Sequence, residues 1–517
     1  MRVMNTITDK PAWDRKVFDE QIVSKWRKEI SQSGLDMSPN MMDWIIKELQ
    51  WKSGIYQETG IVQVFDIGVV KSDTAISQQV QQALKSAVHS LQDIPKDSKD
   101  YHPGSDQKVV DLVHPSLFPV VYGRTRVLPD RVIDLDTCLD SIGKGEAIPV
   151  PSEEDLKISL PREYSGSPVA LSQRFQWLPC DVELTENNGA RVLSYINNLH
   201  PITHRKLYQV IEEVITQTIP LWNMSLTAND YYTQRIEFTE VEYDGPSEPP
   251  ARQSKEGADD EDEFNDEYWL WMSARPIKQP EPGEFNERHM LKNRDPINLQ
   301  EDFKNRKLQV IVKLANIELT PDKPEYEGGT WHVEGQLNER ICASAIYYYD
   351  SANITESTLA FRHRALDDFI SLKYEQDLHQ FLQVIYGFSP EVDGRNTSNI
   401  TQLDGSVVCK EGRLITFPNI MQHRVSPFSL ADRTKPGHRK ILALFLVDPH
   451  RRVISSANVP PQREDWRENK ACLEMKGFSM SMVEAKKHRL LLMEERGLRK
   501  EEENRNFEEG SFCLCEH

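Results

Sequence analysis

Four residues far apart in the chain have the types that metal and carboxylate chemistry needs. Trp331-His332-Val333-Glu334 sets an imidazole and a carboxylate two residues apart. In an extended strand, residues i and i+2 share a face, so His332 and Glu334 would project together. His423, about ninety residues later in FPNIMQHRVSPF, adds a second imidazole at the start of another strand. Two histidines and one carboxylate on one face make a facial triad, which holds non-haem Fe(II) and leaves coordination positions open. Zinc would also fit these ligands. Sixteen residues further on, Arg439 opens the apolar run RKILALFLVD. A guanidinium there can clamp a carboxylate bidentately, and a bound dicarboxylic acid would supply the anion that a buried arginine needs.

The other candidates are weaker. Taken singly, His332 and His423 read as satisfied polar residues, and only the joint pattern with Glu334 and Arg439 points to a metal. Arg433, in the loop RVSPFSLADRTKPG, competes with Arg439 but lies among turn residues, whereas Arg439 starts a strand. Tyr347 to Tyr349 are ordinary strand residues. His200 and His204 are spaced i, i+4, but Pro201 intervenes and a third ligand is missing. Cys513 and Cys515 form a close pair without a second pair, and read as part of an acidic terminus. Trp331 faces away from His332 and is expected to pack. Asp448 and His450 read as turn residues after the last strand.

The elements that must position these residues begin near Lys307. From there KLQVIVKLANIEL, GGTWHVEG, RICASAIYYYD, STLAFRH, GSVVCKEGRLITFPN, QHRVSPF and HRKILALFLVD alternate with Gly, Pro, Asn and Asp turns, the pattern of a sandwich or barrel. Upstream, residues 22–100 and 187–219 keep mainly helical periods. The stretch 245–267 is acidic and poor in apolar residues, and reads as a solvated insertion. Residues 483–503 predict a charged amphipathic helix packed on the outside. The division expected is a helical and mixed region over 1–180, a helical segment with the acidic insertion over 181–300, a β core over 301–460, and a helix with an acidic tail over 461–517. The fold class is α+β.

The charge balance of 62 basic against 81 acidic residues, net −19, disfavours nucleic-acid binding, which rests on neutralising phosphates. The longest strongly apolar run, Ile441–Val447, is far too short to cross a bilayer. Seven scattered cysteines and the lack of an apolar leader in the first residues point to a reducing compartment, cytoplasmic or nuclear.

The order His-x-acid, long gap, His, then Arg on the last strand resembles the Fe(II)/2-oxoglutarate-dependent dioxygenases. GRLITFPN, QHRVSPF and GHRKILALFLV look like the closing strands of their prolyl-hydroxylase-like branch. Over nearly its full length the chain also resembles a large, mostly fungal family, domain of unknown function 4246, on WHVEGQLNERI, AIYYYDSANITES, FPNIMQHRVSPF and PGHRKILALFLVDPH. The resemblance implies a double-stranded β-helix, or jelly roll, with helical extensions at both ends. It further implies that His332, Glu334 and His423 ligate Fe(II), and that Arg439 and the Tyr348 hydroxyl bind the distal carboxylate of 2-oxoglutarate. The activity implied is hydroxylation or demethylation of an unidentified small molecule or protein. Two departures stand out: Glu334 where Asp is usual, and a long loop between His423 and Arg439. The rival readings are a jelly-roll scaffold without turnover and a cupin-like metalloenzyme that does not use 2-oxoglutarate.

Overall fold

The computed structural model describes residues 1–152, 154, 171–227, 235–245, 268–287, 290, 296–365, 372–392, 396–467, 479–512 and 514. Nearly all of the acidic insertion at 245–267, and Cys513 and Cys515, lie outside the described residues. In chain order, the helices that frame the site are α1 (Arg2–Thr8), α2 (Pro39–Thr59), α3 (Gln78–Gln92), α4 (Arg205–Leu226) and α5 (Met482–Glu508). The strands are β1 (Val62–Phe65), β2 (Val69–Ser72), β3 (Val109–Val113), β4 (Cys180–Leu184), β5 (Ala190–Val192), β6 (Leu308–Leu319), β7 (Ile341–Ala352), β8 (Thr358–Arg364), β9 (Thr401–Val408), β10 (Leu414–Pro418), β11 (Gln422–Val425) and β12 (Gly437–Val447).

A large antiparallel sheet runs in the order β1-β2-β10-β7-β12-β6-β4-β5, with β3 also paired to β6. A second antiparallel sheet runs β9-β8-β11. The apolar run that ends β12 explains how the two relate. Leu442, Leu444 and Leu446 point to a cluster shared with Ile211, Ile215 and Trp222 of α4. Ala443, Phe445 and Val447, on the alternate face, point to a cluster shared with Leu359, Phe361 and Val407 of the second sheet. Strand β12 is therefore apolar on both faces because both are covered, one by helices and one by a sheet. Arg439 has the parity of the second set, so it belongs to the face shared with the second sheet.

The fold is thus a mixture of α and β with antiparallel sheets, as the sequence leads one to expect. Two local expectations fail. Residues 190–192, read as helix, form β5, because Asn188 at φ 56° and Gly189 turn the chain back onto β4. Residues 62–65 and 69–72, within a region read as mainly helical, join the large sheet beside β10. The C-terminal helix extends beyond the stretch its apolar pattern suggests, running from Met482, with the Ser481 hydroxyl accepting from Glu484 N–H, to Glu508. Among the described residues no helix is long and apolar enough to cross a membrane.

Candidate metal centre

His423 lies on β11, where Phe361 of β8 pairs with it and the Phe417 ring stands 4.7 Å away. Both phenylalanines belong to the cluster between the sheets, so the imidazole faces inward and is buried. His332 reaches it differently from the strand expected for TWHVE. The segment makes a single bridge to β11, with His332 N–H donating to the His423 carbonyl at 3.2 Å and His423 N–H donating back at 3.0 Å. Gly329 N–H continues the register to Val425 O at 2.9 Å. Gly328 turns the chain into this segment at φ +90°, and a Cβ there would meet Val425 O at 2.8 Å, so only glycine fits.

After the bridge the chain bends, and Asn419 holds the bend. Its Oδ1 accepts from Glu334 N–H at 2.9 Å, while its Nδ2 donates to Glu334 O at 2.9 Å and Ile341 O at 3.2 Å. The carboxylate is turned onto the two rings, with Oε1 at 3.3 Å from His423 Nε2 and 3.8 Å from His332 Nε2. One ligand atom from each of the three residues lies within 4.8 Å of the others, a group able to hold a metal ion.

Of the two imidazoles, His332 is aimed for that by a hydrogen bond, whereas His423 Nδ1 is buried without a hydrogen-bond partner among the described residues. His332 Nδ1 lies 2.7 Å from the Thr330 carbonyl, which only accepts, so Nδ1 carries the proton and Nε2 presents a lone pair. Burial opposes ionisation of Glu334, yet hydrogen bonds and charge from both imidazoles hold its carboxyl well below the usual range. Burial, then the neighbouring His332, pushes His423 down to about 4 against the pull of Glu334, so the ring is neutral near pH 7. The centre is a carboxylate set between the Nε2 atoms of two imidazoles. It is open on one side, the His332 side chain being 35% exposed against 3% for His423.

Arg439 is buried on the same inter-sheet face, over the rings of Tyr348 at 5.5 Å and Phe428 at 5.0 Å. Its Nη1 donates to the Ser357 hydroxyl, its Nε has no partner, and among the described residues it makes no ion pair. A buried cation without a counter-charge is costly. Tyr348 is buried beneath it, with its hydroxyl against the Cys409 thiol. Arg433, the rival, lies at the surface paired with Glu325 at 2.7 Å. Trp331 lies between the guanidiniums of Arg362 and Arg424, at 4.7 and 4.6 Å. His200 Nδ1 caps the turn at Ile202 and Thr203, and neither His200 nor His204 joins a metal-capable group among the described residues. Asp448 and His450 pair with each other in an exposed turn at 3.1 Å.

Sequence reasoning missed a second group of the same composition. His102, Asp111 and His114 also bring their ligand atoms within 4.8 Å of one another, on β3 and its flanks. The signal was present in YHPGSDQKVVDLVHPS, where Asp111 and His114 flank a short strand. Here, however, His114 Nδ1 accepts the Ser116 N–H at 3.1 Å, so its ring proton sits on Nε2. His102 Nδ1 donates to Asp111 Oδ2 at 2.8 Å, and Arg489 of α5 lies 3.6 Å from that same oxygen. A cavity of about 40 Å³ lined by Trp51, Lys52, Val62, Asp66, Met224 and Met290 shares no residue with either group.

The family described as "Protein of unknown function (DUF4246)" matches residues 39–470, and its N-terminal domain matches residues 1–29. This chain belongs to the DUF4246 family. No curated protein matches it. Solved structures similar to this DUF4246 protein include the Fe(II)/(alpha)ketoglutarate-dependent dioxygenase TqaL, at 18% identity over 29% of this chain and 46% of that one, with a TM-score of 0.18. IDO from Bacillus thuringiensis is similar at 9% identity over 28% and 47%, with a TM-score of 0.17. EvdO2 from Micromonospora carbonacea var. aurantiaca, complexed with 2-oxoglutarate, is similar at 12% over 27% and 53%, with a TM-score of 0.14. The chain spans about half the length of each. Likeness at that level shows neither fold nor activity for this DUF4246 protein.

Proposed function

We propose that this protein is an Fe(II)/2-oxoglutarate-dependent oxygenase that hydroxylates or demethylates a small-molecule or protein substrate, with the two sheets sharing their apolar face as its jelly roll and residues 301–460 as its core. The observation that carries the reading is the convergence of His332, Glu334 and His423, with the His332 proton held on Nδ1 and the Nε2 lone pair turned toward Glu334. Arg439 supports the cosubstrate, because a buried guanidinium with an unpartnered Nε suits the distal carboxylate of 2-oxoglutarate. A cupin-like enzyme has no use for it.

The residues divide the work. His332, Glu334 and His423 hold the metal on one side and leave the other open. Thr330 O fixes the His332 ring, and Asn419 fixes the Glu334 backbone, so neither has to reorganise when a cation arrives. Arg439 and the Ser357 hydroxyl anchor the far end of the cosubstrate, while Phe361, Phe417 and Ile441 keep water from the inner face. With Fe(II) and 2-oxoglutarate bound, the pair supplies oxidative chemistry: dioxygen is consumed, 2-oxoglutarate yields succinate and carbon dioxide, and one oxygen atom enters a substrate C–H bond.

The test is anaerobic loading with Fe(II), followed by air and 2-oxoglutarate. One Fe(II) per chain and slow succinate release are expected. Folded protein that neither binds Fe(II) nor releases succinate overturns the reading.

A further inference from the structure

Helix α5 lays one row of side chains, at every fourth residue, along the segments that carry the centre. Arg496 pairs with the buried Glu339 at 2.7 Å and stacks on Trp177 at 4.1 Å. Lys500 donates from Nζ to the Thr330 hydroxyl. Asn504 Oδ1 accepts from Gln422 Nε2 at 2.8 Å, and Glu508 accepts from Arg362 at 2.7 Å. The helix therefore touches both flanks of the His332 and Glu334 segment and the residue beside His423. Lys500 stands at the middle of that row, on the threonine whose carbonyl orients His332.

Lys500 differs from the cations around it. Arg489, Arg496 and Arg362 each face a carboxylate at 2.7 Å. Lys500 is half-buried and, among the described residues, makes no ion pair; Glu503, one turn on, does not close on it. Burial pulls its ammonium down, and the fields of Glu334 and Glu503 pull it back up. In the loaded centre of the proposed function, the divalent cation and Arg439 are balanced by Glu334 and the two carboxylates of 2-oxoglutarate. Lys500 is then a half-buried positive charge without a counter-charge at the open, His332 side, where Arg424, which likewise makes no ion pair among the described residues, is exposed and stacked on Trp331. A half-buried ammonium in that position recruits an anion.

We propose that Lys500 binds a carboxylate or phosphate group of an anionic substrate and so sets which molecules are presented to the metal. The inference rests on the reading of the centre as an Fe(II)/2-oxoglutarate site, and it makes Lys500 a specificity-determining residue contributed by the C-terminal helix.

The full-length protein is loaded with Co(II) and saturating 2-oxoglutarate, so that Arg439 is occupied, and its visible spectrum is followed during separate titrations with acetate and inorganic phosphate. The wild type is expected to show a saturable change weakened by added sodium chloride, and the tighter of the two anions names the class. Lys500→Gln keeps a donor for Thr330 without the charge, and is expected to raise the anion dissociation constant roughly tenfold or more. Thr330→Val keeps the ammonium and is expected to bind the anion like the wild type. Equal affinity in Lys500→Gln and the wild type overturns the inference, as does a loss in Thr330→Val equal to that in Lys500→Gln, which makes Lys500 a structural prop. A chain with no Co(II) spectrum at all overturns the reading of the centre, and the inference with it. A Co(II) spectrum without any effect of Lys500 overturns the inference alone.

Discussion

Two groups in this molecule contain two histidines and one carboxylate with ligand atoms within 4.8 Å of one another, and composition alone does not tell them apart. Their surroundings do. At His332, Glu334 and His423, a backbone carbonyl takes the His332 Nδ1 proton, and among the described residues no lysine or arginine pairs with Glu334. At His102, Asp111 and His114, a backbone N–H occupies the His114 Nδ1 lone pair, and Arg489 lies 3.6 Å from the carboxylate. The first arrangement offers the His332 Nε2 lone pair and a carboxylate without a basic partner to a cation. The second has spent the His114 Nδ1 lone pair, and carries a cation of its own. Burial pushes His114 down to about 3, while the carboxyl of Asp111 is drawn down to about 2, burial opposing and the two histidines favouring the charged form. The second group reads as a buried tie between β3 and α5, since Arg489 also grips Asp100 at 2.7 and 3.0 Å. A histidine's position says less about metal binding than the partner on its other nitrogen.

The largest effect that can break this contrast is loss of metal. His423→Ala is expected to abolish Fe(II) binding and succinate release, whereas Asp111→Asn keeps both; metal analysis of the two purified variants checks it. Next comes Arg439→Ala, which keeps Fe(II) but raises the 2-oxoglutarate concentration needed for half-maximal succinate release by roughly a hundredfold, the scale of removing one partner from a buried charge pair. Asp111→Asn should lower unfolding stability by about 3 kcal/mol, measured by urea denaturation, because Arg489 and the two histidines lose a buried anion.

A pH series sharpens the same comparison. His114 has a folded pKa depressed to about 3 against an ordinary value near 6.5, so below pH 6.5 the unfolded chain takes a proton that the folded one refuses. Its contribution is complete above about pH 6.5 and falls as the pH drops toward 3, by at most about 1.4 kcal/mol per pH unit. Metal-free His114→Leu should therefore lose less stability than metal-free wild type between pH 6.5 and 4.5. Equal slopes in thermal melts would place the acid sensitivity elsewhere. The smallest effect expected is that of Arg433→Ala, whose exposed pair with Glu325 contributes within about 1 kcal/mol.

Much of this was legible in the residues. KLQVIVKLANIEL, RICASAIYYYD, STLAFRH and HRKILALFLVD are strands, and the charged C-terminal stretch is a helix. The convergence of His332, Glu334 and His423 could be read from residue type and order, although TWHVE is not the regular strand that its residues suggest. A lone bridge to β11, a glycine turn and the Asn419 clamp do that work. Asn419 was in plain view in FPN, but nothing local says that its amide reaches back to Glu334. Lys500 and Arg489 were hidden for a similar reason. Their spacing marks a helix face, while what that face meets depends on contacts 170 to 389 residues away along the chain, and the His114 tautomer depends on one backbone amide.

The most direct test is an anomalous-scattering map of crystals soaked in Co(II), collected at the cobalt edge. A single peak bonded to His332 Nε2, the Glu334 carboxylate and His423 Nε2 is the result predicted here. A peak among His102, Asp111 and His114, or none at either group, contradicts the account.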